Sequence, residues 1–247
     1  MDILEIKDLE YLAQKRVPKM FFDYVNSGSW TETTYNENVS DFQKIKLRQR
    51  VAIDMSNRTL ETKMVDQKVS MPVAIAPTGL TGMQRADGEI LAAQAAEEFG
   101  IPYTLSTMSV CSIEAVAEKT KKPFWFQLYV MKDKKFMERL IDRAKEAKCS
   151  ALVLTLDLQL LGQRHKDIRN GLSTPPKLIP KHVYQVLSRP MWCLRMLTTK
   201  NQFFGNIVGH VDGINDIRSL GSWIGTQFDQ KLDWKEVDWI RKRWGGK

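Results

Sequence analysis

A chain of 247 residues, 43% of them hydrophobic, can bury a sizeable core and has the length of one (β/α)8 barrel or of two small domains. No apolar run reaches the roughly 20 residues that span a bilayer, Met1-Asp-Ile-Leu-Glu5 has no features of a secretory leader, and three cysteines without CxxC spacing fit reduced thiols, so the reading is a globular, cytoplasmic chain. The net charge of +8 is uneven, with 22 Lys/Arg against 22 Asp/Glu in residues 1–159 but 15 against 7 in 160–247, which points to an anionic surface or substrate near the last third.

Asp8 is a candidate cap for a short helix from Leu9 to Lys15. Pro18 suits the first turn of a second helix, with Phe21, Phe22 and Val25 on one side and Gly28 at its end. Tyr24 lies among those apolar residues and by itself reads as a core-edge tyrosine. Glu32 to Phe42 reads as a third helix, and Ile45–Val51 and Thr62–Val69 as antiparallel strands that close the bottom of a barrel.

Four βα units follow, with strands at Met71–Gly79, Ile101–Thr107, Pro123–Val130 and Ala151–Asp157, a spacing that argues for a parallel sheet. Side chains alternate across a strand, so Trp125, Gln127 and Tyr129 share one face and Phe124, Phe126 and Leu128 the other. By the same parity Ala74, Ala76 and Thr78, Thr104 and Ser106, and Val153, Thr155 and Asp157 form the matching faces. Each strand turns polar on one face near its C-terminal end, where such sheets build their sites.

The connecting helices are ordinary. Glu89–Phe99 follows a polar turn at Gln84–Gly88, Ser112 caps a helix through Ala117, and Lys132–Lys148 carries Phe136, Met137, Leu140, Ile141 and Ala144 on one stripe with its charges solvated. After Asp157 comes a polar loop, Leu161–Gly171, in which Arg164 offers a two-pronged grip on a carboxylate. His165 beside it reads as a solvated loop histidine. Residues 177–206 mix Met191, Trp192, Leu194, Leu197 and Phe203 with Lys181, Arg189, Arg195 and Lys200, divided into short helices by Pro180 and Pro190. A segment of this kind either lies in a membrane interface or packs on its own barrel or a neighbouring subunit. Trp234–Trp239 reads as a helix.

The succession Phe22-Asp-Tyr24-Val, Ala76-Pro-Thr-Gly79, Thr104-Leu-Ser-Thr107, Phe126-Gln-Leu-Tyr129, Leu154-Thr155-Leu-Asp157, Leu161-Gly-Gln-Arg164 and Asp167-Ile-Arg-Asn-Gly171 resembles the FMN-dependent α-hydroxy acid dehydrogenase/oxidase family, which takes in L-lactate dehydrogenase, glycolate oxidase and mandelate dehydrogenase. The order of the motifs is specific for the family and leaves the hydroxy acid open. The resemblance implies FMN as cofactor, with the backbone of Pro77, Thr78 and Gly79 against the flavin ring and Ser106, Gln127 and Thr155 on its polar edge. It implies Tyr24 and Tyr129 as substrate contacts and Arg164 as the holder of the carboxylate of a small 2-hydroxy acid.

The family's His-Gly-Gly-Arg motif and its strand-five lysine have no counterpart, because His165, His182 and His210 stand in other contexts and Lys247 comes too early. The expected architecture is therefore α/β, an incomplete TIM (β/α)8 barrel. It would run as N-terminal helices and hairpin (1–70), strands one to four (71–171), a basic amphipathic insertion (172–230) and the helix before a fifth strand (231–247). No catalytic residue and no metal site is expected in it. Such a chain is expected to hold FMN weakly, to turn over no hydroxy acid alone, and to need a partner supplying the other half or a second copy of itself. The alternative is a non-catalytic remnant or split-enzyme half acting through subunit contact or through peripheral membrane contact at 177–206, on the inner face of the cell membrane. Other FMN barrels fit Tyr24, Tyr129 and Arg164 less well, and nothing suggests a nucleic-acid partner.

Overall fold

The computed structural model describes residues 2–160, 162–172, 180–211, 223, 226–228 and 230–247. Helix α1 (Ile6–Arg16) begins at Glu5, and Asp8 sits at the third helical position rather than at the cap, accepting from Leu4 N and Glu5 N at 2.9 and 3.1 Å in a reciprocal capping box. Pro18 stands at the N-cap of α2 (Lys19–Val25), which ends at Asn26, two residues before Gly28. Helix α3 (Thr33–Ser40) runs into a 3-10 turn, Asp41–Lys44.

The strand expected at Ile45–Val51 does not form. Those residues are exposed and outside any element, and among the described residues none pairs with them to bury Ile45, Leu47 and Val51. Hairpin β1 (Thr62–Met64) and β2 (Gln67–Val69) does form, antiparallel, and it seats against the N-terminal ends of the later strands. Trp125 Nε1 donates to Gln67 Oε1 at 3.1 Å, Gln67 Nε2 donates to Ser150 Oγ, and Ser70 N donates to Gly100 O at 2.9 Å.

The sheet has four parallel positions. Met71–Gly79 narrows to a single bridge, Ile75 with Tyr103, because Ile75 N donates to Pro102 O and its carbonyl accepts from Thr104 N before Pro77 ends the donor series. Next come β3 (Thr104–Ser106), β4 (Trp125–Tyr129) and β5 (Ala151–Thr155) in that order. Leu105, Phe126 and Leu128 face outward and are wholly buried with Phe136, Met137, Leu140 and Ile141 of α7 (Lys134–Glu146). Helices α4 (Thr81–Gln84), α5 (Gly88–Phe99) and α6 (Ile113–Lys119) follow the earlier strands. Ser112 caps α6 by accepting from Ala115 N, and Asp133 caps α7 by accepting from Phe136 N.

The later elements lie against this arc. Helix α8 (His165–Arg169) begins at Arg164, so the expected polar loop is partly helical. Helices α9 (Pro180–Leu187) and α10 (Pro190–Thr198) start at the two prolines, as their fixed φ favours. Helix α11 (Trp234–Trp244) inserts Ile240 and Trp244 into the same core as α7. Lys247 O accepts from Leu152 N at 2.9 Å on the edge of β5 away from β4. Among the described residues the strands form an arc of a parallel barrel rather than a closed one.

Candidate functional site

Parity places one polar row at the C-terminal ends of three strands. Ser106 is the register partner of Gln127, and Tyr129 that of Thr155. Gln127 Oε1 accepts from Ser106 Oγ at 3.2 Å and from Thr107 N at 3.3 Å, while its Nε2 donates to Thr155 Oγ1 at 2.8 Å. Two donors on one side and a hydroxyl on the other fix which way this buried carboxamide points. Among the described residues its second amide proton and the Thr155 hydroxyl proton have no acceptor, which leaves them to a ligand.

The turn after the first strand is drawn beside this row. Ala76, Pro77 and Thr78 are exposed, Leu80 N donates to Met108 O at 3.1 Å, and Thr81 Oγ1 donates to Thr78 O at 3.0 Å. Glu89, fully buried, accepts from Gly82 N and Val110 N through one oxygen, both at 2.9 Å, and so clamps this turn to the turn after β3. A Cβ on Gly79 would meet Tyr24 Oη at 3.1 Å and Met108 Cβ at 3.4 Å, so the missing side chain permits this close approach.

Arg164 closes the cluster from α8. Its guanidinium carbon lies 4.8 Å from the Tyr24 ring centroid, Nη2 donates to Ser27 Oγ at 2.8 Å and to Tyr24 O, and Nε pairs with Asp167 Oδ2 at 3.0 Å. Asp167 is buried, and among the described residues its Oδ1 has no hydrogen-bond partner. Burial raises its pKa, against the pull of Arg164 and with a further push from Asp23. Burial also raises Tyr24, despite Arg164, and pushes Tyr129 up to about 12, aided by Tyr24 and Asp157. Both phenols are therefore neutral donors at ordinary pH.

The structure thus brings Tyr24, Gly79, Arg164 and Tyr129 to one end of the arc, alongside Ser106, Gln127 and Thr155. Sequence reasoning overlooked Asp167, Ser27 and Glu89. Asp167 had a legible signal, a carboxylate three residues after Arg164, whereas Ser27 and Glu89 look like any cap or first-turn residue. His165 is partly exposed at the start of α8, with its ring edge-on to Trp30 at 5.8 Å and its Nε2 3.2 Å from Gln163 Oε1. His182 Nε2 meets Asn170 O, and His210 sits by Arg139 and Arg143, so neither joins the cluster. Among the described residues no group of His, Cys, Asp and Glu is placed to hold a metal ion.

The family model described as FMN-dependent dehydrogenase matches residues 13–247. The L-lactate dehydrogenase of Acinetobacter baylyi is 41% identical over 247 residues, which is 100% of this chain and 64% of that protein. That of Acinetobacter baumannii is 42% identical over 240 residues, 97% of this chain and 62% of that protein. Among solved structures, the monotopic membrane protein (S)-mandelate dehydrogenase superposes with a TM-score of 0.91 at 30% identity, covering 100% of this chain and 65% of that one. The chain therefore spans a little under two thirds of the length of these relatives.

Proposed function

This chain belongs to the FMN-dependent dehydrogenase family, and from that premise we propose that it carries the flavin-edge and carboxylate contacts of an L-2-hydroxy acid dehydrogenase of the lactate type. The cofactor of the family is FMN, and the residues present fit it. A row of neutral hydroxyl, carboxamide and hydroxyl groups suits the alternating carbonyl and N–H edge of a flat heterocycle, and the glycine turn beside it leaves no Cβ in the way.

FMN, when bound, supplies the two-electron acceptor. Pro77, Thr78 and Gly79 would present backbone to its ring, and Ser106, Gln127 and Thr155 would hold its polar edge. Arg164, oriented by Asp167 and Ser27, would fix the substrate carboxylate through charge-assisted hydrogen bonds. Tyr24 and Tyr129, phenols that are neutral at ordinary pH and that burial pushes further up, would donate to the bound acid. None of the three histidines reaches this cluster, so these 247 residues hold no imidazole to take the hydroxyl proton, and we read them by themselves as a binding half without turnover. In this proposal 1–70, 71–171, 172–230 and 231–247 are parts of one domain, with 173–179, 212–222, 224–225 and 229 of the third part outside the described residues.

The observation that carries the reading is the hydrogen-bonded run from Ser106 through Gln127 to Thr155 beside Arg164. Titration of the purified chain with FMN, followed by quenching of flavin fluorescence, tests it, with L-lactate then added anaerobically. Saturable quenching with no bleaching of the flavin band is expected. Absence of quenching would remove the binding claim, and bleaching would remove the claim of no turnover.

A second element has its own support. Leu187 and Leu197 are 69% and 79% exposed on α9 and α10, beside exposed Lys181, Arg195 and Lys200, and a structural relative is a monotopic membrane protein. We propose that this surface meets an anionic lipid interface. No helix among the described residues is long and apolar enough to cross a membrane.

A further inference from the structure

Asn206 is fully buried and comes from the stretch after α10, far in sequence from the flavin-edge strands. Its Nδ2 donates to Ser109 Oγ at 2.9 Å and lies within bonding distance of Ser106 O, 3.3 Å, and Thr107 O, 3.4 Å. Its Oδ1 accepts from Ile113 N at 2.9 Å and from Arg143 Nη2 at 3.4 Å. Every neighbour of the nitrogen is an acceptor and every neighbour of the oxygen a donor, so a flipped amide would face like against like on both sides. Arg143 is braced in turn. Its Nε and Nη2 pair with the two oxygens of Glu114 at 2.6 and 2.8 Å, and its Nη1 donates to Asn206 O at 3.1 Å.

The backbone around Asn206 is seated as tightly. Gly205 N donates to Val110 O at 3.1 Å, and a Cβ at Gly205 would fall 2.7 Å from Ser112 N and 2.8 Å from Val110 O. Just before it, Thr199 Oγ1 and Asn201 Nδ2 both donate to Asp87 Oδ1, at 2.6 and 2.7 Å, at the start of α5. Thr199 and Asn201 thus hold the start of α5, the helix that carries Glu89, while Gly205 and Asn206 hold the turn after β3 that Glu89 reaches through Val110 N.

We propose that Asn206 is a positioning residue for the flavin edge. It holds the Ser106–Ser109 turn so that Ser106 Oγ stays on Gln127 and Met108 stays under Gly79. The proposal rests on the FMN reading above and adds a residue that touches neither cofactor nor substrate. It also joins the α9–α10 surface to the cradle through one covalent stretch of seven residues, 200–206, beginning right after Thr199.

Residue-resolved amide hydrogen exchange on the whole chain, with and without FMN, tests it for Asn206→Asp, which keeps the shape and removes the donors, and for Asn206→Ser. Ile207→Val, at a buried core position one residue on, is the control for loosened packing. Both Asn206 variants should exchange about ten-fold faster at Met108, Ser109 and Val110 while β4 and β5 keep their protection, and should bind FMN about ten-fold more weakly; Ile207→Val should do neither. Uniform acceleration across the sheet, or an unchanged turn, overturns the positioning role. If the unaltered chain binds no FMN the functional reading fails, and the exchange pattern of the free protein still decides this one.

Discussion

Gln127 and Thr155 are joined at 2.8 Å although they are not register partners: Val153 faces Gln127 and Tyr129 faces Thr155. The carboxamide reaches diagonally along the sheet's inner face, which side chains two residues apart on adjacent strands can do. It thereby links the third and fourth βα turns, and through Ser106 the second.

Gln127→Leu tests that linkage. The volume is nearly kept, but Ser106 Oγ loses its acceptor at a buried position and the half-buried Thr155 Oγ1 loses a donor. Leaving buried polar groups unpaired costs about 1–3 kcal/mol, so for a chain of this size the thermal midpoint should fall by about 3–10 °C. FMN binding should weaken by at least about ten-fold, the loss expected from one or two hydrogen bonds. A variant that melts and binds as the parent does would show that the row is incidental.

Asp167→Asn separates the orientation of Arg164 from its charge. The guanidinium remains, but its Nε loses the carboxylate at 3.0 Å, and with side-chain exposures of 31% and 11% the pair is only partly screened. The stability loss should be about 1–3 kcal/mol, below that of a wholly buried pair. A 2-oxo acid such as pyruvate, titrated calorimetrically against the FMN-loaded chain, should bind about ten-fold more weakly. Unchanged affinity would mean that Ser27 and the Tyr24 carbonyl alone aim the guanidinium.

The parts legible in the sequence were those governed by short-range periodicity. Alternation in β3 to β5 separates Gln127 from Phe126 because successive side chains point to opposite faces, so polarity keeps a period of two even where both faces of β4 are buried. The stripe of Phe136, Leu140 and Ile141 did the same for α7. Ile45–Val51 misled for the converse reason: it has alternating apolar residues, but a strand needs a neighbour, and none of the described residues pairs with it. Trp192 Nε1 donates to Met83 O at 2.8 Å and its ring stacks on Phe21 at 5.6 Å, contacts that no local pattern announces. Asn206 left no local sign at all, since its partners lie about 100 residues away and only the folded chain brings them together.

The brace behind Asn206 gives the chain an acid-side signature. Burial works to raise the Glu114 carboxyl, but the hydrogen bonds and charge of Arg143 outweigh it and hold the group down to about 2, against an ordinary 4.5. A carboxyl depressed in the folded state contributes stability that is fully present above its unfolded pKa and lost as pH falls through the folded one. Chemical denaturation should therefore show stability declining between about pH 4.5 and pH 2 more steeply in the parent than in Glu114→Gln. Parallel curves would show that the two-point pairing with Arg143 is absent in solution. Because half of the Glu114 side chain is exposed, the difference should shrink in added salt.

The proposed lipid contact is tested by substituting the residues the fold leaves bare and sparing those it uses. Leu187 and Leu197 lie open on α9 and α10, with Tyr184, Met191 and Leu194 exposed near them. Burying half of each leucine in a lipid interface is worth about 1 kcal/mol, and a carboxylate there adds repulsion from anionic headgroups. Leu187→Glu with Leu197→Glu should therefore reduce co-sedimentation with phosphatidylglycerol vesicles by more than about ten-fold and leave the thermal midpoint within a few degrees. Trp192→Ala should do the reverse, lowering the midpoint through the lost Met83 and Phe21 contacts. Equal pelleting of the double-Glu variant and the parent would place the lipid contact elsewhere or nowhere, and would leave α9 and α10 as a face for another protein chain.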